Sequence, residues 1–330
     1  MSDLRLSIAV GDYDRTRPLI DGDVHIDGVD PTYLRLSPEE IFFRAFRNAE
    51  FDICELSMSS FTLSLARGDA AYVGIPVFPS RAFRHTSIYV RADRDIDTPA
   101  DLKGRRIGIP EYQLTACVWA RALLEDEYGV TPADIEWVRG GFEEPGRKEK
   151  IALKLPGGVR LTSAPEGRSL SAMLDDGEID AMIGPRMPAS FHAKDAKVRW
   201  LFTDPIAAAA DYYRRSGIFP IMHLIGVRKD LVARHRWLPA TVFMAFAAAK
   251  AVCAARLADT SATKVMLPFV EEQLHSARAL MGDDFWSYGF AENRHVVETF
   301  VAHHYKQGLS DRLVSPEEMF HLSTLETFRI

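Results

Sequence analysis

The chain has 330 residues and a mass of 37.0 kDa, enough for two lobes and a large buried core. With 47% hydrophobic and 26% charged residues it is not a disordered chain, and a net charge of −6 gives nucleic acid or an anionic membrane no footing. The N-terminus has no signal-peptide pattern, and the richest apolar run, residues 238–257, is broken by Lys250 and Arg256 and reads as a buried helix.

In chain order, residues 4–10 read as a buried strand ending at Gly11-Asp12, and residues 32–36 as a second strand. Ser37-Pro38-Glu39-Glu40 carries a helix start: a capping serine, proline in the first turn and early carboxylates. Residues 51–56 form the next strand and lead through Ser57 into a helix ending near Gly68. Strands follow at 73–78 and 86–91.

The stretch 101–140 is the most informative. A turn at 102–104 precedes a strand over 105–109, which Pro110 breaks. After a polar loop, Thr115 is expected to cap a helix that closes at Gly129, and residues 135–138 give the next strand. A strand entering a helix N-terminus through a polar loop presents unpaired N–H groups at the positive end of the helix dipole, a place for a carboxylate.

Further strands are expected at 159–162, 179–183, 200–202 and 221–228, with helices at 167–177 and 205–216. From residue 231 the pattern is helical, with segments 237–257, 267–281, 293–307 and 315–327. Residues 140–150, glycine-bearing and charged, read as a surface excursion. Strands alternating with helices predict open, mostly parallel α/β sheets that bind ligand at their carboxyl ends. The expected division is a discontinuous lobe I over 1–91 and 204–330 and a lobe II over 92–203.

Three widely spaced cysteines (Cys54, Cys117, Cys253) make no metal or redox motif and read as reduced core thiols of a cytoplasmic protein. No P-loop, dinucleotide fingerprint, nucleophile elbow or zinc-protease motif is present. No motif points to a cofactor or a metal. His85, His223 and Glu55 are too scattered to read as a metal set.

The phrases TPADLKGRRIGIP and LDDGEIDAMIGPR, with the helix ending in YGV between them, resemble the type II periplasmic-binding-protein fold. The fold class implied is α/β, two-lobed, with a helical C-terminal part. A narrower resemblance, carried by FDICELSMSSF, IPVFPSRAFRHTSIYVR, PEYQLTACVWARALLEDEYGV and GIFPIMHLIGVRKDL, is to the 4,5-dihydroxyphthalate decarboxylases. It implies a carboxy-lyase that turns a hydroxylated aromatic dicarboxylate into protocatechuate and CO2 in the interlobe cleft. The implied partner is a small aromatic carboxylate. Self-association stays open.

Such a reaction needs cations or N–H donors for two carboxylates, partners for the hydroxyls, and a proton donor beside the ipso carbon. Arg186 follows a strand end, and Arg84 and Arg15 adjoin strand ends; each reads either as a carboxylate fork or as an ordinary ion pair or loop charge. Tyr112, Gln113 and Thr115 precede or open the helix and are candidates to bind substrate, as is Ser57. His223 interrupts an apolar strand and His85 stands near the first crossover; both are candidates for proton transfer, against the plainer reading of hydrogen-bonded core histidines. Glu55 ends a strand where an apolar residue is expected, either to orient a histidine or take a hydroxyl proton, or to pair with an arginine.

The alternative from another class is a non-catalytic solute-binding or sensor protein for an aromatic carboxylate. A receptor for an anion needs donors but no proton shuttle. A third reading is a different enzyme on the same scaffold, one making a pyrimidine or menaquinone precursor.

Overall fold

The computed structural model describes residues 3–147, 149, 153, 155–192 and 197–326. The chain divides into two compact units, one of residues 1–81, 221–298 and 314–330, the other of residues 82–220 and 299–313.

The first unit opens with β1 (Leu4–Val10), the short α1 (Arg17–Ile20), β2 (Val29–Arg35) and α2 (Pro38–Asn48). β3 (Ile53–Ser57), α3 (Met58–Arg67) and β4 (Tyr72–Arg81) follow. The second unit contains β5 (Ile88–Arg91), β6 (Arg106–Ile109), α4 (Thr115–Tyr128), β7 (Glu136–Arg139), β8 (Arg160–Ser163), α5 (Leu170–Asp176), β9 (Ala181–Ile183), β10 (Val198–Trp200) and α6 (Pro205–Ser216). The chain returns to the first unit through β11 (Ile221–Arg228), α7 (Lys229–Arg234), α8 (Leu238–Ala258) and α9 (Val270–Met281). α10 (Phe290–Lys306) begins in the first unit and ends in the second.

Among the described residues the first sheet runs β2-β1-β3-β11-β4. β1 is parallel to β2 and β3, whereas β11 is antiparallel to β3 and β4. Every residue of β3 is buried, including Glu55 and Ser57, as expected of a central strand covered on both faces. α2 starts as expected: the Ser37 side chain accepts the N–H of Glu40, and Ile41, Phe42 and Ala45 turn inward. The second sheet runs β10-β5-β9-β6-β7-β8; its centre is parallel, and β5 is antiparallel to both β9 and β10. Both sheets are thus mixed, each a parallel core with an antiparallel return.

Several expectations change. The unit boundaries fall at 81/82 and 220/221 and not at 91/92 and 203/204. The reason is pairing: β5 hydrogen-bonds with β9 and β10, which carries residues 82–91 into the second unit. Residues 299–313 also join that unit, where Trp119 of α4 meets Phe300 of α10.

The segment 315–327 is not a helix. It holds two single 3-10 turns, Glu317–Met319 and Leu322–Thr324, and residue 327 lies outside the described residues. Between the turns Phe320 bridges Gly74, and His321 N–H donates to Gly74 O at 3.0 Å. The unpaired edge of β4 supplies these bonds in place of a helix ladder. Gly74 permits the approach, since a Cβ there would lie 2.2 Å from the Met319 carbonyl oxygen.

α8 buries one face only. Val242, Ala245, Phe246 and Ala249 are enclosed, and the helix packs on α1 and β4. It is long and apolar enough to cross a membrane by length and composition, and with 33% of that apolar stretch buried it is less enclosed than the buried helix expected. Cys54 and Cys117 are buried free thiols, while Cys253, on α8, is only half-buried. Of the expected surface excursion at 140–150, Gly140 to Phe142 are buried, and Arg147 and Glu149 bind back to the loop before α4.

Candidate functional site

In the first unit, the β3–β11 ladder sets His223 opposite Ser57 and Ile225 opposite Glu55. Side chains two apart share a face of the sheet, so Glu55 and His223 are diagonal neighbours, and they meet. His223 Nδ1 lies 2.5 Å from Glu55 Oε1.

The Glu55 side chain has no exposure. Its Oε1 also accepts the Tyr13 hydroxyl at 2.8 Å, and its Oε2 accepts the Gly11 N–H at 2.9 Å. Burial alone would raise its pKa. The His223 ring, the Gly11 amide and the Tyr13 hydroxyl outweigh burial and hold it below the usual carboxylate value. Glu55 is therefore an ionised carboxylate fixed by three donors. The same burial, with the Glu55 charge beside it, pushes the Tyr13 phenol well up, so that it stays a donor.

His223 keeps 17% of its side chain exposed and packs edge-on to Phe42, ring centroids 4.8 Å apart. One ring nitrogen is committed to Glu55, and Nε2 has no partner among the described residues.

Arg15 completes this cluster. Its guanidinium carbon lies 4.4 Å from the ring centroids of both Tyr13 and Trp286. Nε donates to Pro79 O at 2.5 Å and Nη1 to Asp14 Oδ1 at 2.9 Å. Arg15 is thus stacked between two rings and is not a loosely solvated charge.

Sequence reasoning missed Tyr13 and Gly11. The only signal was position: GDY follows the end of β1 directly. The geometry needs the glycine, because a Cβ at Gly11 would stand 2.4 Å from Cζ of Tyr13.

In the second unit, Leu114 and not Thr115 takes the capping position of α4, and no side chain caps it. Thr115 is the first helical residue and is buried, as is Gln113. Gln113 Nε2 lies 3.4 Å from Glu111 Oε2. The Glu111 carboxylate, itself buried, takes a forked pair of bonds from Arg147 at 2.7 and 2.8 Å. The Tyr112 N–H donates to Glu149 Oε1 at 2.5 Å, so a carboxylate of the chain itself occupies part of the loop expected to receive a ligand. The Tyr112 ring is fully buried between Arg121, at 3.8 Å from its centroid, and the edge-on Trp137. Those are the surroundings of a core residue.

Arg186 is exposed on the turn after β9. Arg84 is buried, and its Nε donates to Ala82 O at 3.1 Å. The ion pair expected for it as an ordinary charge is absent among the described residues. His85 is enclosed by Phe202, Tyr212 and Phe83, and both its ring nitrogens are buried without a partner among the described residues. Burial, with Arg215 adding to it, lowers its pKa to about 4. It is a neutral imidazole near pH 7, which is not the state of a ready proton donor. Among the described residues no group of three or more His, Cys, Asp or Glu side chains is disposed to hold a metal ion.

A carboxylate–histidine pair with one free ring nitrogen is equipped to hold and deliver a proton. Comparison with known proteins bears on which reaction that serves. A family profile described as the periplasmic substrate-binding protein of a phosphonate ABC transporter matches residues 32–153. Among solved structures, the periplasmic aliphatic sulphonate-binding protein of Escherichia coli superposes with a TM-score of 0.55 at 14% identity, covering 100% of this chain and 96% of that one. The alkanesulfonate-binding protein of Xanthomonas axonopodis pv. citri, bound to MOPS, gives 0.54 at 13% identity, covering 97% and 99%. Such identities speak for a shared fold alone, the two-lobed binding-protein fold expected from the phrases above.

Two curated relatives are far closer in sequence, and both are named 4,5-dihydroxyphthalate decarboxylase. That of Pseudomonas putida is 60% identical over 214 residues, which are 65% of this chain and 83% of the relative. That of Comamonas testosteroni is 62% identical over 330 residues, the whole of both chains. An agreement that holds from end to end at this level leaves no part of the chain outside the match, and the chain belongs to the family of 4,5-dihydroxyphthalate decarboxylases.

Proposed function

We propose that the chain converts 4,5-dihydroxyphthalate to 3,4-dihydroxybenzoate (protocatechuate) and CO2, a step in the breakdown of phthalate, and that His223 delivers the proton. Family membership supports the substrate and the reaction class. The observation that carries the mechanism is the contact between His223 Nδ1 and the buried Glu55 carboxylate.

Each carboxyl of this substrate has a ring hydroxyl para to it. That oxygen donates electron density to the carbon bearing the carboxylate, and His223 Nε2–H protonates the same carbon. The C–C bond then breaks, its electron pair returns to the ring, and CO2 leaves. The net change is one proton taken up and one CO2 released, and solvent restores the proton to His223. Glu55 stabilises the imidazolium before transfer and fixes the ring so that Nε2 faces the reactant. Because both Glu55 oxygens already accept hydrogen bonds, orienting His223 is a better role for it than taking a hydroxyl proton. Stacked Arg15 supplies a cation for a substrate carboxylate beside this pair.

The test is turnover in D2O. Protocatechuate should form with one deuterium, on the carbon that lost the carboxylate, and CO2 should appear in equal amount. Tight binding of 4,5-dihydroxyphthalate without CO2 release would favour a receptor and overturn this reading.

A further inference from the structure

Asn293 is 1% exposed in the first turn of α10, where an apolar residue would be easier to bury. Its amide is fully used. Oδ1 accepts from Arg81 Nη2 and, at 3.1 Å, from the Ser287 hydroxyl; Nδ2 donates to Ser287 O at 3.2 Å and to Gly289 O at 2.8 Å. Arg81, the buried last residue of β4, donates to Ser287 O as well, at 2.7 Å. One buried amide therefore ties residues 287–289 to the end of β4. Further bonds hold the same segment: the Gly289 N–H donates to Pro76 O at 2.8 Å, the Trp286 indole N–H to Phe78 O at 2.9 Å, and Lys250 Nζ to Trp286 O at 3.2 Å. Connecting segments are usually the mobile parts of a fold, yet this one is fastened to β4, α8 and α10.

What the segment presents is the Trp286 ring, whose centroid lies 4.4 Å from the guanidinium carbon of Arg15. Arg15 Nε and Nη1 are used by Pro79 O and Asp14, while Nη2 meets no acceptor among the described residues. The Arg15 side chain is 16% exposed, which leaves that nitrogen a way to meet an anion. Tyr13, the ring on the other side of the guanidinium, is fixed by its bond to Glu55. Trp286 is fixed by the segment that carries it. Pro79 and Arg81 belong to the same end of β4, so Asn293 fastens Trp286 to the strand that also takes Arg15 Nε. All of these residues lie in the first unit.

We propose that Asn293 is a positioning residue for substrate binding: it fixes segment 286–289, holds Trp286 against Arg15, and so keeps Arg15 Nη2 aimed at a substrate carboxylate. This rests on the reading of Arg15 given above. A free arginine side chain loses rotamer freedom when it grips a ligand. A guanidinium already held between two rings has lost that freedom beforehand, so the ligand is bound more tightly. The gain is the same for the ground state and the transition state, and the mark of Asn293 falls on KM and not on kcat.

The experiment is a double-mutant cycle of Asn293→Leu with Arg15→Ala. It is read as KM and kcat for 4,5-dihydroxyphthalate and as the calorimetric Kd of phthalate, which has both carboxylates but no ring hydroxyls. Asn293→Leu alone should raise KM and Kd by about fivefold and leave kcat within about twofold. In the Arg15→Ala background it should change neither constant, because the group it positions is gone. A purely structural Asn293 would weaken binding equally in both backgrounds or not at all, and either result overturns the proposal. Should Asn293→Leu not fold, Trp286→Leu tests the same link at a half-buried position. It should raise Kd to the same extent, and Trp286→Phe, which keeps a ring over the guanidinium, should restore it; an unchanged Kd in Trp286→Leu would also overturn the proposal. Phthalate calorimetry needs no turnover, so a wild type that releases no CO2 would sink the decarboxylase reading while the cycle is still measured.

Discussion

His223 Nδ1 and Glu55 Oε1 are 2.5 Å apart, although 168 residues separate them in the chain. The antiparallel β3–β11 register makes the pair, because it sets Ser57 opposite His223 and leaves Glu55 one diagonal step away on the same face. If this pair moves the proton, His223→Asn should lower kcat by about 10²- to 10⁴-fold, the usual worth of a positioned acid or base. Single-turnover CO2 release, with phthalate affinity measured alongside, separates a lost proton donor from a lost binding site. Activity within a few-fold of wild type would remove His223 from the mechanism.

Tyr13 and Gly11 act on that pair as one unit. Tyr13→Phe deletes a hydrogen bond to a buried carboxylate, worth about 1.5–3 kcal/mol for a charged acceptor, and should lower kcat by about tenfold or more. Gly11→Ala drives a methyl group into the Tyr13 ring, which can swing away, and should have a similar effect without unfolding the chain. The double variant should then be no worse than either single one. Additive losses in this double-mutant cycle would show that Gly11 acts elsewhere.

If Arg15 takes a substrate carboxylate, its shape matters as much as its charge. A planar guanidinium fits between Tyr13 and Trp286, and an ammonium does not reproduce that stacking. Arg15→Lys should therefore raise KM for 4,5-dihydroxyphthalate almost as far as Arg15→Ala, by about tenfold. Steady-state kinetics on both variants decides it: full rescue by lysine would reduce Arg15 to a point charge.

Local pattern carried much of this far, and it failed where partners are distant. α6 and β11 coincide with the segments read from the sequence because each has clear punctuation, Pro205 and Gly217 around the helix and Arg228 after an apolar run. The unit boundary was misplaced because the pairing of β5 with β9 and β10 is a tertiary choice that residues 88–91 do not announce. Segment 315–327 has helical periodicity, but the open edge of β4 at Gly74 claims its backbone. Glu55 and His223 were legible because charge inside a buried strand is anomalous. Tyr13 was not, since a tyrosine in a polar loop is ordinary until the loop folds it across Gly11. Glu149 was not, since its acceptor role depends on reaching an amide 37 residues away.

His85 offers a stability test independent of catalysis. Its imidazole is enclosed by Phe83, Phe202 and Tyr212, and burial holds its pKa near 4 against 6.5 for a free side chain. Between those two values the unfolded chain holds a proton that the folded chain refuses. Stability must then fall as pH drops from about 6.5 towards 4, by at most about 1.4 kcal/mol per pH unit from this group. Above 6.5 both states are neutral, and the effect vanishes. Urea unfolding across pH 4.5 to 7.5 should show this slope in the wild type. His85→Leu, which fits an aromatic cage and cannot take a proton, should lack that part of it, so the difference between the two curves isolates His85 from every other titrating group. Parallel curves would mean that His85 is protonated within the folded chain after all, and would restore it as a candidate proton donor.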